Sequence, residues 1–332
     1  MNKTAIALFV YNRPFHTLKV LESLKKSKID SLYIFCDGPK DINDVDKVQE
    51  TRFLIKSIDW TKTFIFENNE NRGLAKSLVS GINRAFKDHE RVIVIEDDCI
   101  AREDFFVFME KCFDKYQNTN VMSVSGYSLP ITLPEDYKYD IYFCQRSSCW
   151  GWGTWKEKWK YYKDDISILD EIKKNSDLKE KINLCGEDLI LMLELQKKNL
   201  LNSWAVFWSI SIALNDGICI NPVAPLVKNI GFDGSGEHCK SFRINMPDLS
   251  DKKIDFTKFP EETKINEKIM IECSKLYKLN LLGKLKKIAI KIKYIRPFYL
   301  AIRKILRKIS RIKKRRLTNS QECGRMKKRS GK

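Results

Sequence analysis

The stretch VIVIEDDCI, residues 92–100, contains the features that decide the fold. Four branched apolar residues run directly into Glu96, Asp97 and Asp98. A strand this apolar is typical of a parallel sheet that is buried on both faces. Three adjacent carboxylates repel one another, so another group at the end of this strand has to balance their charge.

Strand and helix patterns alternate along the first half of the chain. Apolar runs typical of strands lie at 4–11, 31–38, 61–68 and 91–98, with amphipathic stretches at 15–27, 46–58 and 74–89 between them. In the first amphipathic stretch, Leu18, Leu21 and Leu24 are expected to face the core. This order predicts an α/β, Rossmann-like fold, with a mostly parallel sheet, flanking helices and right-handed crossovers.

Polar residues close three of these strands. Asp37, Asn68 and the triplet 96–98 lie at carboxyl ends, which form the usual ligand-binding edge of a parallel sheet. One interpretation of the triplet is a set of acids that cap the next helix. The alternative is a site for Mg²⁺ or Mn²⁺, because these cations prefer oxygen ligands and share them with bound phosphates.

The composition indicates an ordinary soluble protein. The chain has 332 residues, of which 43% are hydrophobic and 31% are charged. Its ten cysteines are scattered without CxxC pairs, which favours free thiols in a reducing compartment. No apolar run is long enough to span a membrane and the start lacks a signal-peptide pattern. We therefore expect a cytoplasmic protein without an amino-terminal membrane anchor.

The positive charge is concentrated at the carboxyl end. Residues 283–332 hold 20 Lys and Arg and one acid, a net charge of +19, whereas residues 1–282 hold 41 basic and 42 acidic residues. The nearly neutral body argues against nucleic-acid binding. Seven apolar residues of this tail recur in steps of four and three: Ile288, Ile292, Ile295, Tyr299, Ile302, Leu306 and Ile309.

Such a stripe with basic flanks predicts a basic amphipathic helical tail, interrupted at Pro297, that lies on an anionic membrane. A coiled coil is the competing interpretation, but a surface almost without acids would repel its own copy. RNA binding stays open, although the tail contains no recognised RNA-binding module.

Four blocks of the chain together resemble a known family. They are ALFVYNRPFHT at 7–17, CDGPK at 36–40, NENRGLAKSLVSGIN at 69–83 and VIVIEDDCIAREDFF at 92–106. In this order and spacing they resemble GT-A-fold glycosyltransferases, in particular the Golgi enzyme that adds the first N-acetylglucosamine branch to N-glycans and similar bacterial sugar transferases. The resemblance covers roughly Ala5 to His238. It implies transfer from a UDP-sugar, with UDP-GlcNAc as the leading donor, and inversion at the anomeric carbon.

The resemblance also implies roles for individual residues. Asp98 matches the direct metal ligand of the family's DxD-type motif, which binds Mn²⁺ or Mg²⁺. Arg13 and Asp37 match positions that hold the uridine half of the donor. The remaining donor-binding candidates are Asn71, Arg72, Lys76 and Asp97. A turn-forming role before Gly38 stays open for Asp37, and a surface charge before Pro14 stays open for Arg13.

A second acidic pair supplies the candidate base. The block GEDLILML resembles an acidic helix start in the Golgi enzyme, and its catalytic base maps to Asp188, with Glu187 as the alternative. An acid in the first turn of a helix is also an ordinary partner of the helix dipole.

Aromatic and glycine-rich segments supply the remaining candidates. Trp150 and Trp152 in CWGWGTW have flat rings that suit an acceptor sugar, although tryptophans at this density are as often core residues. His238, in the glycine-rich stretch 222–239, is a candidate for the metal or diphosphate on a mobile loop, although a lone histidine is usually structural.

Taken together, the sequence predicts a glycosyltransferase domain over 1–242, with a nucleotide-sugar half at 1–125 and an acceptor half at 126–242. A connector at 243–282 and the membrane-associating tail at 283–332 follow. The expected acceptor is a lipid-linked saccharide in surface polysaccharide synthesis, on the inner face of a bacterial cytoplasmic membrane. A nucleotidyltransferase of similar fold and a non-catalytic carbohydrate-binding or scaffold protein are the alternatives.

Overall fold

The computed structural model describes residues 3–233, 249 and 255–279. The chain divides into two units, one of Met1–Gly231 with Asn245–Lys278, the other of Phe232–Ile244 with Leu279–Lys332. The structure below is that of the first unit. The predictions for His238 and for the tail at 283–332 fall outside the described residues.

The described residues form ten strands and ten α-helices. The strands are β1 Thr4–Val10, β2 Ser31–Cys36, β3 Lys62–Glu67, β4 Arg91–Glu96, β5 Cys99–Ala101, β6 Val121–Ser125, β7 Ile141–Cys144, β8 Trp152–Trp155, β9 Ile218–Pro222 and β10 Val227–Asn229. The helices are α1 Pro14–Lys26, α2 Val45–Lys56, α3 Leu74–Ala85, α4 Phe105–Tyr116, α5 Lys156–Trp159, α6 Ile168–Lys174, α7 Ser176–Cys185, α8 Asp188–Lys197, α9 Trp204–Leu214 and α10 Glu267–Leu276.

Eight strands form one sheet, in the order β3-β2-β1-β4-β8-β6-β9-β7. Strands β1 to β4 are parallel to one another, and β6 and β9 run in the same direction, whereas β8 and β7 are antiparallel to their neighbours. Strands β5 and β10 pair separately as a short antiparallel ribbon. The predicted fold class, a mostly parallel sheet flanked by helices, is confirmed.

The strand order places a crevice beside β1. The chain builds outward from β1 through β2 to β3, then returns to the other side of β1 as β4. Strand order therefore reverses between β1 and β4, and ligands of such sheets bind at this position, outside the carboxyl ends of the strands. Phe9 pairs with Glu96, so the two strands end level with each other.

Helix α1 begins at Pro14, where a missing N–H costs no hydrogen bond. Its buried stripe runs through Thr17, Val20, Leu21 and Leu24. Leu18 is 41% exposed, so its predicted inward orientation is wrong. The reason is the turn of 100° per residue, which puts position 18 beside the stripe instead of within it.

Apolar side chains cover both faces of the sheet. Helices α1, α2 and α4 bury theirs on one face, and α3, α9 and α10 bury theirs on the other. The connector predicted at 243–282 contains α10. No helix among the described residues combines the length and apolar character needed to cross a bilayer.

Candidate functional site at the β1–β4 crevice

Arg13 places one positive charge against two residues of the acidic triplet, Asp97 and Asp98. It lies three residues after β1, while Asp97 and Asp98 follow β4 directly. One nitrogen of its guanidinium, Nη2, donates to Asp97 Oδ1 and, at 2.9 Å, to Asp98 Oδ2. The three side chains are only 15%, 8% and 10% exposed, so this is a largely desolvated ion pair at the crevice.

The second oxygen of Asp98 is held by the ribbon of β5 and β10. Asn229 donates its side-chain amide to Asp98 Oδ1 at 3.0 Å and accepts the N–H of Gly231 at 2.8 Å. The N–H of Ile230 donates to the backbone carbonyl of Asp98 at 2.8 Å. A Cβ at Gly231 would collide with Asp98 Oδ2. Asn229 and Gly231 are therefore site residues that the sequence reasoning missed.

Burial and neighbouring charges shift the pKa values of Arg13, Glu96 and Asp97. Burial opposes the charge of Arg13, but Asp97 and then Asp98 outweigh it and raise the pKa of the guanidinium above its usual value. Burial, followed by the charges of Asp98 and Asp97, raises the pKa of Glu96 to about 8. Burial also raises the pKa of Asp97, with Arg13 acting in the opposite direction. Burial and the acidic neighbours thus favour the neutral form of Glu96, while the guanidinium of Arg13 lies against Asp97 and Asp98.

The carboxylate of Asp37, at the end of β2, already accepts hydrogen bonds from the protein itself. Its carboxylate is 5% exposed and accepts the backbone N–H groups of Arg72, at 3.0 Å, and Gly73, at 2.9 Å. The N–H of Gly38 and the amide of Asn68 donate to it as well, at 3.1 and 3.2 Å. Asp37 thereby fixes the turn that enters α3, in which Gly73 has a φ of 78° that favours glycine.

The other donor-binding candidates of this segment lie in two places. Asn71 donates its side-chain amide to the carbonyl of Gly38 at 2.9 Å, beside Asp37. The side chain of Arg72 is exposed. Lys76, in the first turn of α3, lines a groove of about 310 Å³ together with Trp204. Hydrogen bonds thus join Asn71 and Arg72 to the end of β2, whereas Lys76 lies along α3.

A second network, not predicted from the sequence, joins the segments that follow β1 and β2. Asp44 accepts the hydroxyl of Tyr11 at 2.7 Å and the side-chain amide of Asn12 at 2.6 Å. The hydrogen bond from Tyr11 is the main reason that the pKa of Asp44 lies below its ordinary value. This network fixes the backbone immediately before Arg13.

Asp188 pairs with Arg146 instead of contacting the crevice. The two guanidinium nitrogens of Arg146 donate to the two oxygens of Asp188 at 3.1 and 3.2 Å. The guanidinium also lies 4.7 Å from the centre of the Tyr277 ring. Arg146 follows β7, which lies four strands from β4 in the sheet, about 19 Å at the usual strand spacing. Glu187 precedes the first residue of α8.

The two tryptophans differ sharply in exposure. Trp152 is 0% exposed and stacks on Trp204 at 5.0 Å between ring centres. It has no free face for a sugar, so its predicted acceptor contact is wrong: Trp159 on α5, with Trp204 and Trp208 on α9, fills that space. Trp150 is half-buried and packs edge-to-face against Tyr127 at 4.5 Å. Its predicted acceptor contact stays a prediction.

The donor set at the crevice fits a divalent cation under two conditions. Carboxylate oxygens are the ligands that Mg²⁺ and Mn²⁺ prefer, and Asp97 and Asp98 present theirs toward one point, marked by Arg13 Nη2. Within residues 3–233, 249 and 255–279, no group of three His, Cys, Asp or Glu side chains could hold a metal ion. A cation would therefore need Arg13 to move and further oxygens to come from a ligand.

The fold and this site define an α/β protein with a carboxylate pair at the ligand-binding crevice of its sheet. No protein-family model and no curated protein matches the sequence.

Several solved structures are similar in fold. Residues 1–349 of S. aureus TarS with UDP-GlcNAc are 11% identical, with a TM-score of 0.43 over 73% of this chain and 62% of that one. The Pyrobaculum calidifontis mannosyltransferase PcManGT, with GDP-Man and Mn²⁺, is 12% identical, with a TM-score of 0.40 over 64% and 69%. A putative nucleotide-diphospho-sugar transferase from Desulfovibrio desulfuricans G20 is 14% identical, with a TM-score of 0.30 over 48% and 65%.

These neighbours are of the class that the sequence resemblance named. This chain spans about three fifths of residues 1–349 of TarS and 36% of the longer TarS chain, so the likeness concerns the fold alone.

Proposed function

We propose that this chain is a metal-dependent, inverting glycosyltransferase that moves a sugar from a nucleotide-sugar donor to a lipid-linked saccharide. The observation that supports this most is the buried carboxylate pair, Asp97 and Asp98, at the crevice between β1 and β4. A diphosphate placed there brings oxygens that complete a cation site, and its charge matches Arg13. The choice of a UDP-sugar, and of UDP-GlcNAc first, rests on the resemblance of the sequence blocks.

The residues of the crevice would have separate roles in binding the donor. Asp98, assisted by Asp97, would hold Mn²⁺ or Mg²⁺, which when bound stabilises the charge of the leaving nucleotide. Arg13 would bind the donor. Asp37 would shape the donor pocket through the turn it fixes, in addition to the uridine contact that the resemblance implies.

Asp188 is the proposed general base, with Glu187 as the alternative. The base would take the proton of the acceptor hydroxyl as that oxygen attacks the anomeric carbon from the side opposite the diphosphate, which inverts the centre. Both oxygens of Asp188 accept hydrogen bonds from Arg146, so one of these bonds would have to open. Trp150 would contact the acceptor.

The lipid-linked acceptor and the location follow from the tail. Residues 283–332, with a net charge of +19, would bind an anionic membrane and hold the enzyme on the inner face of a bacterial cytoplasmic membrane during surface polysaccharide synthesis. Deleting 283–332 should abolish binding to anionic vesicles while donor hydrolysis continues. Equal binding of the full chain to neutral vesicles would contradict this part.

The decisive test of the function is a screen of nucleotide sugars with Mn²⁺, first for thermal stabilisation and then for hydrolysis or transfer. Asp98→Asn should abolish the metal-dependent stabilisation and the turnover. Asp88→Asn removes an exposed carboxylate and is the matched control, which should behave as wild type. If no nucleotide sugar is turned over, or if Asp98→Asn retains metal-dependent turnover, the proposed function is wrong.

A further inference from the structure

The unusual feature of the crevice is that a guanidinium already occupies the point where a cation would bind. Arg13 Nη2 alone donates to both Asp97 and Asp98. We propose that Arg13 is a displaceable counter-ion: a divalent cation and an oxyanion such as diphosphate bind together, the cation taking the carboxylates and the anion taking Arg13. This rests on the proposed function only in treating the carboxylate pair as the cation site.

Arg13 cannot leave the carboxylates without a replacement. Asp97 and Asp98 are 8% and 10% exposed, and removing their partner would leave two charges uncompensated in a desolvated site. Breaking a buried ion pair in this way is strongly unfavourable. A divalent cation removes that penalty because it supplies the missing charge. Arg13, which is itself 15% exposed, needs an anion for the same reason.

The present pairing also leaves Arg13 open to a better partner. Its Nη1 atom is buried and has no hydrogen-bond partner among the described residues. A guanidinium pairs best when two of its nitrogens donate in parallel to two oxygens of one anion. In the present structure one nitrogen of Arg13 makes the hydrogen bonds to both Asp97 and Asp98. A diphosphate could instead accept parallel hydrogen bonds from two nitrogens of Arg13.

The location of Arg13 permits the movement. It lies on the short segment between β1 and α1, whose position is fixed on the β1 side by the bond from Asn12 to Asp44. Because the backbone is held there, the exchange requires only the long side chain of Arg13 to turn toward a ligand. Asn229 remains on Asp98 and keeps that carboxylate in place during the exchange.

Two titrations test the exchange, each with one ligand alone. In the first, Mn²⁺ is titrated without any anion ligand and followed by electron paramagnetic resonance. Arg13→Gln should bind Mn²⁺ at least about 10-fold more tightly than wild type, because the competing guanidinium is gone. Arg13→Lys should stay closer to wild type because it keeps a positive charge.

In the second titration, inorganic pyrophosphate is added in the presence of a chelator, without metal, and followed by calorimetry. Asp97→Asn should bind it at least about 10-fold more tightly, because Arg13 then keeps only Asp98 as a charged partner and one negative charge is removed from the crevice.

Matched controls come from the exposed pair of Arg84 and Asp88, whose side chains are 38% and 42% exposed. Arg84→Gln and Asp88→Asn make the same changes of charge away from the crevice, and each should alter the affinity less than about 2-fold. Folding of every variant is checked by circular dichroism, and if Arg13→Gln does not fold, the pyrophosphate titration of Asp97→Asn decides alone.

The proposal is overturned if Arg13→Gln, once folded, binds Mn²⁺ no more tightly than wild type, or if Asp97→Asn gains no affinity for pyrophosphate. Neither titration contains a nucleotide sugar or measures transfer. A chain that shows the exchange but turns over no sugar would therefore refute the proposed function alone, and active transfer without the exchange would refute only this inference.

Discussion

Asp37→Asn is the substitution for which the structure gives the sharpest expectation. The side chain is 5% exposed and its two oxygens accept N–H groups from Gly38, Asn68, Arg72 and Gly73. An asparagine keeps the shape but replaces one accepting oxygen by an NH₂ group. In its better orientation this NH₂ faces the backbone N–H of Gly73, so that one buried donor loses its acceptor.

The size of the effect follows from these contacts. A buried donor without an acceptor costs about 1–3 kcal/mol, and the remaining bonds lose the extra strength of a charged acceptor. The free energy of unfolding should therefore fall by about 3 kcal/mol in Asp37→Asn. Urea unfolding followed by circular dichroism measures it. Asp41→Asn is the matched control, because Asp41 is exposed and asparagine caps the following turn equally well, so its loss should stay below about 0.5 kcal/mol.

The opposite result would assign Asp37 a different role. If Asp37→Asn unfolds within about 1 kcal/mol of wild type, the carboxylate does not carry the turn into α3, and the reasoning from its hydrogen bonds is refuted. A stable Asp37→Asn protein with weakened nucleotide binding would point to the direct uridine contact that the sequence resemblance implies.

Three further substitutions test other contacts. The hydroxyl of Tyr11 lowers the pKa of Asp44, so the charged carboxylate stabilises the fold at neutral pH and this stabilisation is lost as the pH falls through about 4 and below. Asp44→Asn should therefore flatten the acid limb of a curve of stability against pH. An unchanged acid limb would contradict the assignment. Gly153→Ala places a Cβ 2.6 Å from a backbone carbonyl oxygen of β4 and should cost about 2 kcal/mol in thermal unfolding; wild-type stability would show that the sheet yields at this point. A double-mutant cycle of Arg146→Gln and Asp188→Asn should give a coupling of about 1–2 kcal/mol in urea unfolding, whereas additive losses would mean that the pair contributes nothing.

The local pattern of the sequence was enough for the first four strands and the helices between them. Alternating apolar runs and amphipathic stretches identify β1 to β4, and the position of the triplet after β4 places it at the binding edge. These features depend on residues close together in the chain. Hydrophobic periodicity encodes them directly.

Contacts between segments far apart in the chain could not be predicted from hydrophobic periodicity. The pairing of Arg13 with Asp98 spans 85 residues and exists because β4 returns to the open side of β1, which no local signal indicates. Asn229 reaches Asp98 only because β10 pairs with β5. The burial of Trp152 depends on α9, some 50 residues further along the chain. The tryptophan-rich segment alone was therefore equally compatible with a sugar-binding surface and with a buried core.

The placement of the tryptophans gives this molecule a built-in optical reporter. Six of its seven tryptophans lie between positions 150 and 208, and four of them form one cluster, in which Trp152 has its ring centre 5.0–6.1 Å from those of Trp159, Trp204 and Trp208, close enough for their excited states to couple. Trp60 alone lies beside β3, an edge strand that is four strands away from β8, which carries Trp152. Fluorescence of a Trp60→Phe variant would therefore record the melting of one side, whereas far-ultraviolet circular dichroism records the whole backbone. Coinciding curves would show that the two sides of the sheet unfold as one cooperative unit, and separated curves would show that the β3 side and the tryptophan-rich side melt independently.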